Sequence, residues 1–278
     1  MFDLHVHTTA SDGELTPTEI VKLAEKENVK TIAICDHDTI DGLEEAIVQG
    51  EKSGVEVIPG IELNAKVPKG KMHVLGYYVD YKDEKFANTM LHLKKDRDER
   101  NQEFIKEFNK QGINITIEDV KKNAFGNVLA KPHFARALLD RKYISDIEET
   151  YTNYFNVPPM NQIKRKSITP NEAFDIIKQA GGIVVLAHPI TLKLDYDELE
   201  MKIKELKEMG LDGIECYNNI HTEDDIKKLR EIAVRNNLLI TAGSDFHGPI
   251  STPDVKIGRG INNNIIPKEN DILEKLKK

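Results

Sequence analysis

The sequence predicts an α/β protein: a TIM-like barrel of six or seven strands, interrupted by an inserted helical subdomain. Three observations lead there. Short apolar runs alternate with amphipathic helices over residues 1–64 and again from about residue 167. Between them, from 84 to 166, the chain is charged and helical in pattern, with no βα alternation. Histidines and carboxylates recur where the apolar runs end, and in a parallel barrel that rim carries the site.

The elements follow in order. Phe2–His7 reads as a strand. Thr16-Pro17-Thr18-Glu19 opens a helix, with Thr16 as N-cap, Pro17 at N1 and Glu19 closing a capping box. Ile20, Val21, Leu23 and Ala24 give it an apolar face. Thr31–Cys35 is a second strand, Leu43–Glu51 a second helix and Val55–Leu63 a third strand. His73–Val79 is a further strand candidate. In the insertion, Asp96–Phe108 is a long amphipathic helix, with shorter ones at Ile117–Asn123, Pro132–Asp140 and Ile144–Phe155. Thr169-Pro170-Asn171-Glu172 is a second capped helix start. Strands at Ile183–Ala187, Gly213–Cys216 and Leu239–Gly243 follow, separated by helices at Tyr196–Glu208 and Thr222–Arg235. The division is therefore a barrel of residues 1–83 and 167–278, with 84–166 inserted.

Composition narrows the function classes. A chain of 278 residues with 39% hydrophobic and 31% charged residues is long enough for one large domain with an insertion. A net charge of −8 argues against a duplex nucleic-acid groove but leaves room for a small phosphorylated substrate. Cys35 and Cys216 lack CxxC spacing and sit in apolar runs, as buried inert thiols do. No signal segment and no run of about 18 apolar residues is present, so a cytoplasmic protein with no membrane partner is expected.

The chemistry gathers at the strand ends. His5 and His7 alternate along the first strand, so both share a face while Val6 points into the helix layer. Asp12 follows in Ser11-Asp12-Gly13, where Gly13 permits a tight turn. His37 and Glu62 end the next two strands; His188, Asp245 and His247 end later ones. So many imidazoles and carboxylates would be costly to bury together unpaired, and metal ions remove that cost. Taken singly, His73 reads more readily as a core or surface histidine, and His92 as structural or exposed. Asp36 and Asp38 flank His37 as orienters of ligands or as turn residues. Imidazole and carboxylate donors suit zinc, iron or manganese, and such ions lower the pKa of bound water so that hydroxide is available at neutral pH.

His5-Val6-His7, Ser11-Asp12-Gly13, Ile34-Cys35-Asp36-His37-Asp38, Gly60-Ile61-Glu62, His188-Pro189 and Ser244-Asp245-Phe246-His247 resemble the motifs of the polymerase and histidinol phosphatase (PHP) family, in order over nearly the whole chain. The resemblance implies a distorted seven-stranded (β/α) barrel with a trinuclear site of manganese, iron or zinc that hydrolyses phosphoesters. By position it implies two to three divalent ions held by His5, His7, Asp12, His37, Glu62, His73, His188, Asp245 and His247, with Glu62 bridging. His133 competes for the place of His73. Lys131-Pro132-His133-Phe134-Ala135-Arg136-Ala137-Leu138 and the insertion are most similar to stand-alone nucleotide phosphoesterases, among them nucleoside 3′,5′-bisphosphate phosphatases and a short-RNA 5′-to-3′ exonuclease.

The insertion is then expected to supply substrate contacts. Arg97 and Arg100 lie three apart on one helix face, either clamping a second phosphate or solvated among Asp96, Asp98 and Glu99. Lys131, His133 and Arg136 open a helix, a setting for anion recognition. His221, on a loop after a strand, is a candidate to bind substrate or protonate the leaving group, or an ordinary histidine before a helix. The expected reaction is removal of a phosphate from a small nucleotide, best a nucleoside 3′,5′-bisphosphate, through a metal-bridging hydroxide. Trimming of short 5′-phosphorylated RNA, histidinol phosphate hydrolysis, amide hydrolysis and a non-enzymatic metal-stabilised module are the alternatives. The molecule is expected to be a monomer or small homo-oligomer.

Overall fold

The computed structural model describes residues 1–163 and 168–277. Seven strands lie in one sheet in chain order: β1 (Phe2–Val6), β2 (Thr31–Ile34), β3 (Glu56–Ala65), β4 (Met72–Tyr77), β5 (Ile183–Leu186), β6 (Gly213–Tyr217) and β7 (Leu239–Ala242). The ring is drawn together beyond β7. Val6 bridges Phe246, His7 N donates to Phe246 O at 3.0 Å, and Asp245 N donates to His5 O at 2.8 Å. The result is a nearly closed barrel with helices around it.

A wholly parallel sheet was the expectation, and β4 departs from it. It runs antiparallel to both neighbours, with Gly60 opposite Tyr77 through to Ala65 opposite Met72, and Val74 opposite Leu186 on the other side. The cause is chain length. Residues 66–71 are too few for a parallel crossover, which needs a dozen or more, so β3 and β4 close as a hairpin.

Helices α1 (Pro17–Lys26) and α2 (Leu43–Ser53) pack outside β1 and β2. Ile32 and Ile34 turn toward them with Val6, while Ala33 and Cys35 join the inner cluster of Leu75, Tyr77 and Val185. The period of two divides the strand between the two layers. Both predicted capping boxes form: Thr16 N donates to Glu19 Oε2 at 2.8 Å and Thr169 N to Glu172 Oε2 at 2.6 Å.

The helical segment holds α3 (Glu84–Lys110), α4 (Ile117–Lys121), α5 (Lys131–Asp140) and α6 (Ile147–Thr150), the last continuing into a π turn at Tyr151–Phe155. Helix α3 begins well before the predicted Asp96 because Asp83 caps it, accepting from Phe86 N at 2.7 Å. At 27 residues it is about 40 Å long and serves two cores. Phe86, Met90 and Leu93 pack on the barrel cluster that holds Phe174 and Ile177. Phe104 and Phe108 build a separate core with Phe134 and Phe155, in which Phe104 and Phe155 stand 5.0 Å apart. The boundary expected at residue 84 falls at the N-terminus of α3, whose first turns pack on the barrel and whose last turns pack in the second core. The second, between 166 and 167, lies outside the described residues.

The remaining helices are α7 (Pro170–Gln179), α8 (Tyr196–Glu208), α9 (Glu223–Arg235) and α10 (Ile272–Leu276), whose Ile272 and Leu276 join the inner cluster. Among the described residues no helix is long and apolar enough to cross a membrane. Cys35 and Cys216 are buried free thiols, both pushed up by burial.

Candidate metal centre

Six strands deliver side chains to one rim. His5 lies in β1 and His7 just beyond it; His37 follows β2, Glu62 lies in β3, His188 follows β5, and Asp245 and His247 follow β7. His73 sits near the start of β4, opposite Asn64. Because β4 is reversed, its beginning lies at the rim where its neighbours end. The rule that sites gather at strand ends therefore reaches His73 only through the hairpin. Asp12 comes from the loop after β1, where Gly13 has no room for a side chain: a Cβ there would lie 2.7 Å from His7 O.

Four candidate ligand atoms surround one point. His7 Nε2 is 3.2 Å from His5 Nε2, 3.1 Å from Asp245 Oδ1 and 3.3 Å from Glu62 Oε2. His5 Nε2 is 3.4 Å from Glu62 Oε2 and 3.5 Å from Asp245 Oδ1. Ligands at about 2.0–2.1 Å around a tetrahedral ion stand roughly 3.3 Å from one another, so these spacings match a shared cation. The other oxygen of Glu62, Oε1, lies 2.8 Å from His73 Nδ1 and 3.1 Å from His188 Nε2. One carboxylate thus faces two groups. A third group is looser: Asp12 Oδ1 lies 3.4 Å from His247 Nε2 and 3.8 Å from His7 Nδ1, and Asp12 Oδ2 3.9 Å from His37 Nε2. His7 and His37 each stand between groups, one ring nitrogen toward each.

The donor set fits divalent ions. His7 Nδ1, His37 Nδ1 and Glu62 Oε2 are buried without a hydrogen bond, although His37 Nδ1 and Glu62 Oε2 are only 2.9 Å apart. Buried polar atoms left so are costly, and a cation satisfies them. Charge agrees. Burial would raise Glu62, but the imidazoles of His37, His73 and His5 and the hydrogen bond from His188 hold it well below the carboxylate range. Asp12 and Asp245 are likewise held low against burial by their histidines. Burial pushes His73 down to about 4, leaving a neutral ring. Against burial, Asp245 and Glu62 push His7 up to about 10, and Glu215 and Glu62 push His5 up. The field that holds protons on these rings is the field that would hold a cation.

Behind these side chains stand Glu215 and Asp3, which the sequence reading passed over, and Asp36, which it held as an orienter or a turn residue. Glu215, in β6 and inaccessible to solvent, lies 3.0 Å from His5 Nδ1 and accepts from His188 N at 2.8 Å and Asn218 Nδ2 at 3.0 Å. A charge inside the otherwise apolar run Gly213–Tyr217 was the available signal. Asp3 accepts from Ser244 N at 2.8 Å and Gly258 N at 2.7 Å, tying β1 to the segment after β7; burial pushes it up to about 6. Asp36 accepts from Thr8 N at 2.8 Å, Thr8 Oγ1 at 2.7 Å and Ser11 Oγ, so it orients the loop that carries Asp12.

The substrate candidates divide. Arg97 is buried and ion-paired with buried Asp38. Arg100 and Lys131 border a cavity of about 600 Å³ with Lys66, Lys71, Phe104 and Phe155; no carboxylate lines it among the described residues. Lys131 Nζ lies 4.8 Å from the Phe155 ring centre and Arg100 Cζ 5.2 Å from that of Phe104. Arg136 is half-buried one turn beyond His133. His221 is buried, its Nδ1 2.9 Å from Cys216 O; burial pushes its pKa down, so the ring is neutral, with the lone pair on Nε2. His92 is exposed on α3.

The PHP domain family profile matches residues 3–209. The chain is 31% identical over 268 residues to a 5′-3′ exoribonuclease of Haemophilus influenzae, covering 96% of this chain and 97% of the relative. It is 28% identical over 248 residues to a 3′,5′-nucleoside bisphosphate phosphatase of Chromobacterium violaceum, covering 89% and 87%. A solved structure from Bifidobacterium adolescentis, described as a metal-dependent phosphoesterase, superposes with a TM-score of 0.79 at 27% identity, over 99% of this chain and 94% of that one. With the barrel and the donor set in place, the chain belongs to the PHP domain family and is a metal-dependent phosphoester hydrolase.

Proposed function

We propose that the chain removes the 3′-phosphate of nucleoside 3′,5′-bisphosphates, with two or three manganese, iron or zinc ions. His5, His7, Glu62 and Asp245 would hold one, Glu62, His73 and His188 a second, and Asp12, His37 and His247 a third. The observation that carries this reading is Glu62, whose two oxygens face two separate sets of imidazoles. When bound, the ions supply hydroxide at neutral pH and neutralise charge on the phosphoryl group. The chain's own residues fix where the substrate lies. The barrel, 1–83 and 167–278, would carry the ions, and the helical segment 84–166 would recognise the nucleotide.

Substrate class is read from the cavity beside Asn64 and Met72, which flank Glu62 and His73 in the hairpin. In a chain of net charge −8, four cations and no carboxylate along its described lining favour a second anionic group on the substrate. Phe104 and Phe155 hold two of these cations by their ring faces. Histidinol phosphate fits less well, because an amine needs a carboxylate partner there. Arg100, Lys131 and Arg136 are the proposed phosphate contacts, His133 a further substrate contact, and Arg97 acts through Asp38. His221, neutral and with a buried Nε2, would accept a proton more readily than donate one.

Exonucleolytic release of nucleotides from short 5′-phosphorylated RNA is a second reading, favoured by the likeness to an exoribonuclease over 96% of the chain. Incubating Mn²⁺-loaded protein with adenosine 3′,5′-bisphosphate, a 5′-phosphorylated RNA trimer and histidinol phosphate, with products weighed by mass spectrometry, tests both. Release of 3′-phosphate to leave a 5′-nucleotide supports the first reading, and mononucleotide release from the trimer at a comparable rate the second. Turnover of histidinol phosphate alone overturns both.

A further inference from the structure

His133 has a fixed tautomer. It is the third residue of α5, whose N-cap, Ala130, has no side chain able to cap the helix. The imidazole supplies the reciprocal half of a capping box: Ala130 N donates to His133 Nδ1 at 3.0 Å. A nitrogen that accepts a backbone N–H carries the lone pair, so the ring proton is on Nε2. Protonating the ring would break this bond and leave Ala130 N without its partner. The residue is only 6% exposed, and Nε2 makes no hydrogen bond among the described residues.

The segment before α5 is fastened to the β1 loop beside the candidate centre. Asn127 N donates to Thr9 O and Val128 N to Ser11 O, both at 2.9 Å, so this segment is fastened to the loop that carries Asp12. Gly126 makes the approach possible, since a Cβ there would lie 2.1 Å from Ser11 O. Burial pushes the His133 pKa down, and Asp12 and His247 both act on it, which puts the ring within electrostatic reach of the third group.

We propose that His133 is an uncharged hydrogen-bond donor, through Nε2–H, to the phosphoryl group being hydrolysed, and neither an ion ligand nor a proton donor. The assignment rests on the phosphoesterase reading of the site. With Nδ1 engaged and Nε2 protonated, the ring has no lone pair to give an ion. A neutral donor aimed at developing phosphoryl charge contributes without changing protonation during the reaction. It also separates His133 from His221, whose Nδ1 faces a carbonyl and whose Nε2 therefore carries the lone pair.

The test compares His133→Gln, which keeps both an acceptor and a donor, with His133→Ala, which keeps neither. Metal content, kcat and KM on a nucleoside bisphosphate, and pH profiles are measured for each, and ¹⁵N spectra of the Zn²⁺-loaded wild type report the tautomer. The expected result is a neutral Nε2–H ring at neutral pH, and unchanged metal content in both variants. His133→Ala should lose about 10²-fold in kcat/KM, and His133→Gln should stay within about tenfold of wild type. Loss of an ion in both variants would overturn the proposal in favour of ligation. His133→Gln as impaired as His133→Ala, with the alkaline limb of the profile gone, would make His133 a proton donor. Wild-type kinetics in His133→Ala would make it a packing residue. A fully loaded wild type that hydrolyses no phosphoester would remove the reaction itself, a failure distinguished by the wild type's own inactivity.

Discussion

Glu215 holds His5 from behind: its Oε1 lies 3.0 Å from His5 Nδ1, and neither side chain reaches solvent. With Nδ1–H donating to a carboxylate, the lone pair on Nε2 is aimed at the group formed with His7, Glu62 and Asp245. The same carboxylate takes His188 N, so one side chain supports a proposed ligand from each of two groups. Glu215→Gln should weaken metal affinity about 10- to 100-fold. Glu215→Ala should weaken it further and lower occupancy of both groups. Elemental analysis after dialysis against a graded chelator would show this; unchanged retention in Glu215→Ala would refute the role.

Arg97 and Asp38 form a buried ion pair one residue from His37. Removing one partner leaves a buried charge uncompensated, so Arg97→Ala should cost about 3–5 kcal/mol. Loss of stability with KM unchanged in the surviving folded enzyme is the expected pattern in denaturant titration and kinetics. A raised KM at wild-type stability would instead make Arg97 a direct substrate contact.

Gly126 lets the helical segment approach the loop that carries Asp12. Gly126→Val forces a side chain into Ser11 O and should cost about 1–3 kcal/mol, with activity falling more than helix content. Circular dichroism and kcat measured on one preparation would decide. Full activity would show that this segment can leave the loop without harm.

Metal uptake should release protons. His7 is pushed up to about 10 and His5 is also raised, so an ion must displace protons held by Asp245, Glu62 and Glu215. Affinity should climb with pH between 6 and 8, by up to about tenfold per unit for each proton displaced. The sign for the fold is opposite. A folded His7 value above the unfolded one, about 6.5, stabilises metal-stripped protein fully below pH 6.5. That contribution is lost as pH rises through about 10. Melting of chelated protein should therefore fall across this window, while the loaded protein resists. Uptake independent of pH, by calorimetry in buffers of different ionisation enthalpy, would refute the linkage.

Much of this was legible in the sequence, for local reasons. A period of two set His5 and His7 on one face, and Thr16 and Thr169 declared their helix starts three residues ahead of a glutamate. Strand direction is not local. Nothing within Met72–Tyr77 says that it runs backward; the shortness of residues 66–71 does, and that placed His73 at the rim. Glu215 was missed because its run reads as an ordinary apolar strand unless the single charge is asked for its partner. Arg97 read either as a phosphate clamp with Arg100 or as solvated among its neighbours, because Asp38 reaches it only in the fold.

Anomalous diffraction from crystals grown with Mn²⁺ or Zn²⁺ is the most direct test of the centre. Two peaks flanking Glu62, each about 2.0–2.2 Å from one of its oxygens, and a third beside Asp12 and His247 are the predicted result. A single ion bound without Glu62, or none on a crystal of active enzyme, would contradict a site organised around that carboxylate.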